Sequence, residues 1–528
     1  MVSDTIIVGA GTAGCVLANR LSESSSHQVT LLEAGPPDNS MWIPIPVGFT
    51  KLMGNRTYNW CFQTEPEPYT LDRPIPIPRG RTLGGSSAIN GMLIVRGQPL
   101  DYNTWAQLGN RGWSWEDVLP YFRKFETYQD GGDKTRGHDG PLNVHKVGFR
   151  NELTDAYLKA TRNEGFPFND DYNNGEQEGF GYLQINQKEG RRVSAANAYL
   201  DPIRKRQNLC IETDAHVTRL IMDGTRCVGV EFRQRGQLRE LRAKRVILAA
   251  GAIQSPQILE LSGIGNPKVL SDAGVKVIHA LPGVGENLRD HYTPRMNWRV
   301  KKKVTFNERA HGLPLAWEVA RYYLQKKGLL IAPSAVIFGF VKSRPDLETP
   351  DIQYHYNLGS YANHARRTLD HDPGMTMSVY QLRPQSAGSV HIGGGNPLAA
   401  PKIRPNFLAE EEDRVSLVEG MKIARRIVNN PALDAYRAYE MNPGKEVNTD
   451  QEWLDFARRN GQTSFHLGGS CKMGQDAMAV VDSNLKVHGL DGLYVVDASI
   501  MPTMVSGNTN AATFMIAEKA SDHLRTAA

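Results

Sequence analysis

Short apolar runs, a glycine-rich turn and a helical stretch follow one another at the start of the chain. Thr5–Val8 (TIIV) predicts a buried strand, and the residues after it, up to Ser24, predict a tight turn and a helix. The next apolar run, in QVTLLEAG, predicts a second strand that ends at Glu33. A strand, a helix and a strand in this order are typical of a parallel sheet covered by helices.

Two later segments repeat the apolar pattern far from the first. Arg245–Gly265 predicts a buried strand, a Gly-Ala turn and a helix, and Gly492–Pro502 predicts another buried strand that ends at Asp497. The first sheet is therefore expected to collect strands from distant parts of the chain.

The middle of the chain has a different pattern. Asp351–Leu358, Met375–Leu382 and Ser389–Gly394 predict strands, and residues 408–428 predict an amphipathic helix. We expect a mostly antiparallel sheet with helices outside it. The apolar segment Gly328–Val341 contains Pro333 and predicts a buried strand, with a membrane-touching loop as the alternative.

Composition limits the class of protein. A chain of 528 residues exceeds the size of one hydrophobic core, so we expect two or three domains. The net charge of +5 comes without a long Lys/Arg run, which argues against nucleic acid. Five scattered cysteines without CxxC spacing argue against disulfides and a zinc knuckle.

The same features predict where the chain resides. No run of about 18 apolar residues predicts a membrane span, and the early strand leaves no room for a cleaved signal peptide. We expect a cytoplasmic protein, and peripheral association with a membrane stays open.

The first turn carries a nucleotide-binding pattern. Gly9, Gly11 and Gly14 stand in G-x-G-x-x-G spacing after the first strand. The first glycine permits the turn, the second lets the backbone approach a pyrophosphate, and the third lets the helix pack closely. The helix N-terminus offers N–H groups to phosphates, and Glu33 is suited to bond a ribose hydroxyl. Because the other strand segments lie hundreds of residues away, the pattern favours FAD over NAD.

Five segments resemble the glucose–methanol–choline (GMC) oxidoreductases, a family of FAD-dependent alcohol oxidoreductases. They are GRTLGGSSAIN (Gly80–Asn90), GAIQSPQILELSGIG (Gly251–Gly265), LPGVGENLRDH (Leu281–His291), FHLGGSCKMG (Phe465–Gly474) and VSGNTNAATFMIAEKASD (Val505–Asp522). The choline-dehydrogenase-like and sorbose-dehydrogenase-like branch is the most similar. The resemblance implies a Rossmann-like FAD-binding domain, at 1–145, 190–295 and 462–528, and a substrate-binding domain with a mostly antiparallel sheet, at 146–189 and 296–461.

The resemblance implies that His466 is the catalytic base and that Asn508 is its partner. A histidine suits this task because its usual pKa lies near the working pH. Asn508 could instead be a turn residue, with Asn510 in its place. A zinc site of His466 with Cys471 lacks two further ligands, so no metal is expected.

Further flavin contacts are implied for the glycine turn, the first signature and the last strand. These predicted cofactor residues are Gly9, Gly11, Thr12, Ala13, Gly14, Glu33, Ala34, Arg81, Gly85, Ser86, Ser87, Asn90, Gly91, Val217, Asp497, Ala498, Asn508 and Thr509. Val217 could be ordinary strand packing, and Asp497 could merely cap the helix that follows.

The expected reaction is oxidation of a small-molecule alcohol by hydride transfer to flavin N5. In covalent members a histidine precedes the loop asparagine, and here that residue is Ile89, so we expect non-covalent FAD. The electron acceptor is expected to be a quinone or dye, with oxygen as the alternative. A hydroxynitrile lyase or photodecarboxylase on the same scaffold stays open, as does the choice between monomer and homodimer.

Overall fold

The computed structural model describes residues 3–363 and 368–526. Besides single-turn helices, the α-helices in these ranges are α1 (Thr12–Leu21), α2 (Phe49–Leu52), α3 (Pro99–Gln107), α4 (Trp115–Phe125), α5 (Glu152–Asn163), α6 (Gly251–Leu261), α7 (Pro267–Asp272), α8 (Gly312–Gln325), α9 (Glu411–Asn429), α10 (Asp450–Asn460) and α11 (Asn510–Thr526). None of them is long and apolar enough to pass through a lipid bilayer.

A seven-stranded sheet brings the distant apolar segments together. Its order is Leu209–Glu212, Val29–Leu32, Ser3–Val8, Gln237–Leu248, Arg226–Gln234 and Ala215–Asp223, and Leu493–Val495 also pairs with Gln237–Leu248. The pairs around Ser3–Val8 are parallel, whereas the hairpins within Ala215–Leu248 are antiparallel. The predicted Rossmann-like core is confirmed, with strands recruited from both ends of the chain.

Close packing explains the first glycine turn. Gly9 has a φ of 96°, in the left-handed region that glycine adopts without strain. A Cβ on Gly14 would lie 1.9 Å from the carbonyl oxygen of Gly9, so only glycine lets α1 approach the turn this closely. Helix α1 then packs against α11 in one large apolar cluster.

A second sheet has six strands and is antiparallel throughout. Its order is Arg437–Asn442, Arg295–Val300, Gly374–Gln381, Ile352–Asn357, Ile337–Val341 and Gly179–Tyr182. Helices α5 and α9 pack against each other and against strands of this sheet. The predicted antiparallel sheet with outer helices is therefore confirmed, and the end of Gly328–Val341 forms a buried strand in it.

The remaining strands are short and form small sheets. They are Phe62–Gln63, Pro76–Ile77, Glu126–Tyr128, Leu142–Lys146, Gln184–Ile185, Gln187–Lys188, Arg191–Arg192, Ile264–Gly265, His279–Ala280, Tyr292–Thr293, Tyr361–Asn363, Thr368–Leu369, Ser389–His391, Lys402–Arg404 and Gln462–Thr463. The predicted strand at Ser389–Gly394 is present, but it pairs with Lys402–Arg404 in a separate ribbon.

The strands of the two large sheets come from different parts of the chain. The strands of the six-stranded sheet fall within 146–189 and 296–461, except for one strand that begins at Arg295. A small sheet pairs strands from residues 126–146 with the strand at 184–185. We propose that the FAD-binding and substrate-binding units correspond to these two sheets.

Candidate active site

A long cavity runs between the two large sheets. The predicted residues that line it are Gly9, Gly11, Thr12, Ala13, Glu33, Ala34, Gly85, Ser86, Asn90, Gly91, Val217, His466, Asp497, Ala498, Asn508 and Thr509. Ile89 and Asn510 line it too. Residues from both ends of the chain thus contribute to one cavity.

Three predicted residues do not line the cavity. Gly14 lies beneath the turn, where it serves helix packing. Arg81 is held behind the wall, with its guanidinium 5.1 Å from the ring of Trp60, which does line it. Ser87 is buried and donates to the Gly84 carbonyl oxygen at 2.6 Å, so its hydroxyl supports the loop.

The glycine turn and Glu33 form one end of the cavity. A Cβ on Gly11 would meet no protein atom closer than 3.9 Å, so this glycine leaves open space at the helix N-terminus. The buried Glu33 carboxylate accepts hydrogen bonds from the N–H groups of Ala10 and Gly35, both at 2.9 Å. Desolvation by burial raises the pKa of Glu33 to about 7, against the effect of these hydrogen bonds.

Asp497 has a structural role as well as a place in the cavity wall. It caps the short helix after it by accepting from the Ser499 N–H at 2.8 Å. Its other oxygen accepts from the Gly251 N–H at 2.8 Å and the Ser255 hydroxyl at 2.6 Å. Asp497 therefore joins the last parallel strand to the start of α6, and the capping alternative holds alongside the predicted cavity position.

His466 and Asn508 meet at the other end of the cavity. The Asn508 amide nitrogen lies 2.8 Å from His466 Nε2, and His466 Nδ1 lies 2.9 Å from Nδ1 of His291. The Nε2 atom of His291 lies 2.7 Å from the carbonyl oxygen of Leu382. By contrast, Asn510 Oδ1 accepts from the Thr12 hydroxyl at 2.8 Å, at the glycine turn.

These contacts determine where the protons reside. A carbonyl oxygen only accepts, so neutral His291 carries its proton on Nε2 and accepts at Nδ1. His466 must then carry its proton on Nδ1 and present an unprotonated Nε2 toward Asn508. The chain from Leu382 through His291 thus holds His466 in the tautomer that a base at Nε2 requires.

A buried carboxylate, Asp290, fixes both histidines. Its Oδ1 atom accepts from the backbone N–H groups of His291 and His466, both at 2.8 Å. Its Oδ2 atom accepts from the Thr463 hydroxyl. Desolvation by burial raises the pKa of Asp290 to about 6, which the hydrogen bonds and the positive charge of Arg79 partly offset.

Burial keeps the two histidines neutral. Desolvation lowers the pKa of His466 well below its usual 6.5; the charge of Arg79 acts in the same direction, as protonation of His291 or His355 would. Desolvation also lowers the pKa of His291 to about 4. Phe465, directly before His466, has a φ of 68°, a left-handed conformation that is uncommon for an aromatic residue and typical of functional sites.

The six-stranded sheet forms the wall opposite the parallel sheet. Alternation along Ile352–Asn357 places Tyr354 and Tyr356 in the apolar core, whereas His355 and Asn357 line the cavity. Arg295, Thr376 and Ser378, from neighbouring strands, line the same wall. The pairing register brings Ser378 beside both Arg295 and His355, so this wall is a polar layer.

Several buried polar atoms on the cavity wall have no hydrogen-bond partner within the described protein. They include Nε and Nη2 of Arg79, Oγ of Ser464, Oδ1 of Asn357 and Nδ2 of Asn510. Buried polar groups are normally paired, so such atoms fit a polar ligand that spans the cavity. A dinucleotide with a ring system fits this distribution, because the unpaired groups occur both at the glycine turn and beside His466.

The sequence did not predict a role for His291, Asp290 or Arg79, nor for the lining residues of the six-stranded sheet. His291 and Asp290 end the segment LPGVGENLRDH, which was quoted only for its resemblance to the family, and Arg79 directly precedes the first such segment. The sequence signal that could have identified them is the presence of charged and titratable residues within these segments. Among the described residues, no three His, Cys, Asp or Glu side chains are placed to hold a metal ion.

Comparisons with known proteins agree with this arrangement. The sequence profiles of GMC oxidoreductase match residues 3–293 and 384–517. An oxygen-dependent choline dehydrogenase of Vibrio vulnificus (strain YJ016) is 41% identical over 525 residues, which cover 98% of this chain and 93% of that protein.

Solved structures share the whole fold. A pyridoxine 4-oxidase from Mesorbium loti superposes with a TM-score of 0.91 at 32% identity and covers 99% of both chains. An FAD-dependent oxidoreductase from Chaetomium thermophilum superposes with a TM-score of 0.91 at 26% identity, also over 99% of both chains. These similarities extend over both sheets and the cavity between them.

Proposed function

The chain belongs to the GMC oxidoreductase family, and on that premise we propose that it oxidises a small alcohol with His466 as the base. It is an FAD-dependent oxidoreductase that acts on CH–OH groups. The observation that carries the assignment of the base is the contact of His466 Nε2 with the Asn508 amide nitrogen, at 2.8 Å, between two residues that both line the cavity.

FAD is the cofactor that the family and its structural neighbours indicate. When bound, it supplies an isoalloxazine ring that takes up the hydrogen of the alcohol carbon together with its electron pair. We propose that the glycine turn and Glu33 hold the nucleotide, and that Ser86, Asn90 and Gly91 lie along the ring. Ile89 has no nucleophilic atom, so the cofactor is proposed to be non-covalent.

In the proposed mechanism the substrate hydroxyl enters between His466 and Asn508. The hydroxyl gives its proton to Nε2 of His466, and the Asn508 amide donates a hydrogen bond to the alcohol oxygen. His466 then carries a positive charge and donates through Nδ1 to His291. Because His291 is anchored to Leu382, it keeps its acceptor atom toward His466 while the proton is held.

The polar wall indicates the class of alcohol. The carboxylates among the described lining residues are Glu33 and Asp497, and both follow strands of the parallel sheet. The wall opposite carries Arg295 together with hydroxyl, amide and imidazole groups. A cationic substrate would meet a like charge there, whereas a hydroxyl-rich uncharged alcohol finds donors and acceptors. We propose a sugar-alcohol-like substrate.

Choline is the second candidate substrate. The names of relatives such as the Vibrio vulnificus protein favour it, and these relatives cover nearly the whole chain. The absence of a carboxylate on the described part of the opposite wall counts against it.

The second half of the reaction is proposed to pass electrons to a quinone-like acceptor rather than oxygen. This part rests on the sequence segments that resemble dehydrogenases, whereas the name of the Vibrio vulnificus relative, an oxygen-dependent choline dehydrogenase, favours oxygen as the alternative acceptor. A cytoplasmic or peripherally membrane-bound location is proposed with it.

The proposed reaction can be tested with purified holoenzyme under anaerobic conditions. We expect a sugar alcohol to bleach the visible absorbance of the bound FAD with a kcat/KM above that for choline. Benzyl alcohol serves as an apolar comparison. Bleaching by choline alone would overturn the substrate class, and bleaching by no alcohol would overturn the reaction. Peroxide formation in air would assign the electrons to oxygen.

The same preparation tests the attachment of FAD. Acid precipitation should release the flavin into the supernatant. Colour that remains with the precipitated protein would contradict a non-covalent cofactor.

A further inference from the structure

Helix α8 (Gly312–Gln325) carries its large apolar side chains on the outside of the molecule. Leu313, Trp317 and Leu324 are 86%, 64% and 83% exposed. The buried side of the same helix is formed by Glu318 and Tyr322. A helix on the surface of a globular protein normally has the opposite arrangement, with apolar residues inside and polar residues outside.

The three exposed residues form a single ridge. An α-helix turns by about 100° per residue, so positions 313, 317 and 324 project within about 40° of one another. Val319 and Tyr323, which are also exposed, lie to one side of this ridge. Scattered single apolar residues are normal on a surface, but a continuous ridge that includes Trp and two Leu marks an interaction site.

The charges around the ridge are positive. Between residues 309 and 331 the one acidic residue is Glu318, which is buried and paired with Arg309 at 2.6 Å and Arg321 at 3.3 Å. Lys326 and Lys327 follow the end of the helix. The Nζ atom of Lys326 lies 4.7 Å from the ring of Tyr322, so this cation stays close to the helix.

We propose that α8 docks the protein on the surface of a lipid bilayer that contains anionic headgroups. An apolar ridge with Trp and Leu, flanked by Lys and Arg, is the arrangement of helices that lie in the interfacial region of a membrane. The lysines would attract anionic lipids, whereas they would repel each other across a symmetric contact between two copies of the chain. The ridge is therefore assigned to a membrane rather than to a second copy.

The helix is connected directly to the cavity wall. After Lys326 the chain passes through the short helix Leu329–Ile331 and reaches Ser334, which lines the cavity. Docking through α8 would hold this part of the wall near the bilayer. The docking itself does not depend on the proposed reaction.

Flotation with lipid vesicles tests the proposal on the intact holoenzyme. The vesicles are phosphatidylcholine alone and phosphatidylcholine with phosphatidylglycerol. We expect the wild type to float with the anionic vesicles and less at high salt. The triple variant Leu313→Ser, Trp317→Ser and Leu324→Ser should lose at least roughly tenfold in partitioning. Leu238→Ser, at a residue that is 57% exposed on a strand of the other sheet, is the matched control and should float as the wild type.

A second variant separates charge from apolar contact. Lys326→Glu combined with Lys327→Glu should weaken binding to anionic vesicles while leaving the ridge intact. All these variants should retain bound FAD and oxidise alcohol with a soluble dye, so a loss of docking is distinguishable from a loss of the reaction.

Three results would overturn the proposal. The first is a wild type that stays in solution with anionic vesicles, and the second is a triple variant that floats as well as the wild type. The third is a wild-type dimer, measured by light scattering, that the triple variant converts to a monomer without any effect of vesicles. That third result would assign the ridge to a contact between copies.

Discussion

Replacement of His291 by leucine tests whether the hydrogen bond from His466 to His291 supports the reaction. The substitution removes the acceptor at 2.9 Å from His466 Nδ1 and leaves that N–H buried without a partner. A hydrogen bond to a charged group is worth about 1.5 to 3 kcal/mol, and the bond matters most when His466 has taken up the substrate proton. The rate of alcohol oxidation should therefore fall roughly ten- to 150-fold.

The assay is the anaerobic single-turnover bleaching of bound FAD by saturating alcohol, followed across pH. A positioning role predicts a lower rate at saturation and a changed acid limb, with the flavin content unaltered. His291→Gln can place an amide oxygen near the lost nitrogen and should recover part of the rate. His488→Leu removes a similar histidine contact, to the Gly474 carbonyl oxygen, and serves as the control.

A normal bleaching rate and pH profile in His291→Leu, with full FAD content, would refute this reasoning. The hydrogen bonds of His291 would then be structural only, and the tautomer of His466 would have to be set by Asn508.

The geometry and the pKa values support four further predictions. Gly11→Val should weaken FAD binding at least roughly tenfold in an equilibrium titration with little change in the Tm of the apoprotein, because its side chain would enter the open space at the helix N-terminus. Gly14→Ala should instead prevent folding, measured by circular dichroism, because its Cβ would lie 1.9 Å from the Gly9 oxygen. Desolvation lowers the pKa of His466 below 6.5, so kcat/KM should stay on its plateau down to about pH 6.5 and fall only at more acidic pH; a fall that begins well above neutrality would contradict this. Burial alone would lower the pKa of His391, but hydrogen bonds to two glutamates raise it to about 9. The protonated ring therefore stabilises the fold below pH 6.5, and this contribution is lost as the pH rises through about 9, so His391→Gln should lower Tm by a few degrees near pH 6 and by less near pH 10.

The fold was predictable where local pattern carries the information. The apolar strands and the glycine turn around Gly9 have sequence periods and steric requirements that can be recognised without tertiary contacts. The ribbon Ser389–His391 shows the limit, since its strand pattern does not reveal which partner it pairs with. Strand pairing depends on the rest of the molecule.

The site was predictable only in part, for a related reason. His466 and Asn508 lie in segments that resemble a family, and the structure brings them to 2.8 Å of each other. The contact of His466 with His291 spans 175 residues, and no spacing rule predicts such a contact. Likewise, the spacing of apolar residues in α8 is the same whether these residues face the core or the solvent. The sequence therefore does not predict that they are exposed, and only the structure shows it.

The central claim is that His466 takes the proton of the alcohol beside the bound FAD. Its most direct test is the anaerobic bleaching rate of His466→Ala with a substrate of the wild type. We expect full FAD content and a rate roughly two to four decades lower, the range for loss of a general base. A variant that keeps its flavin and bleaches at the wild-type rate would contradict the account.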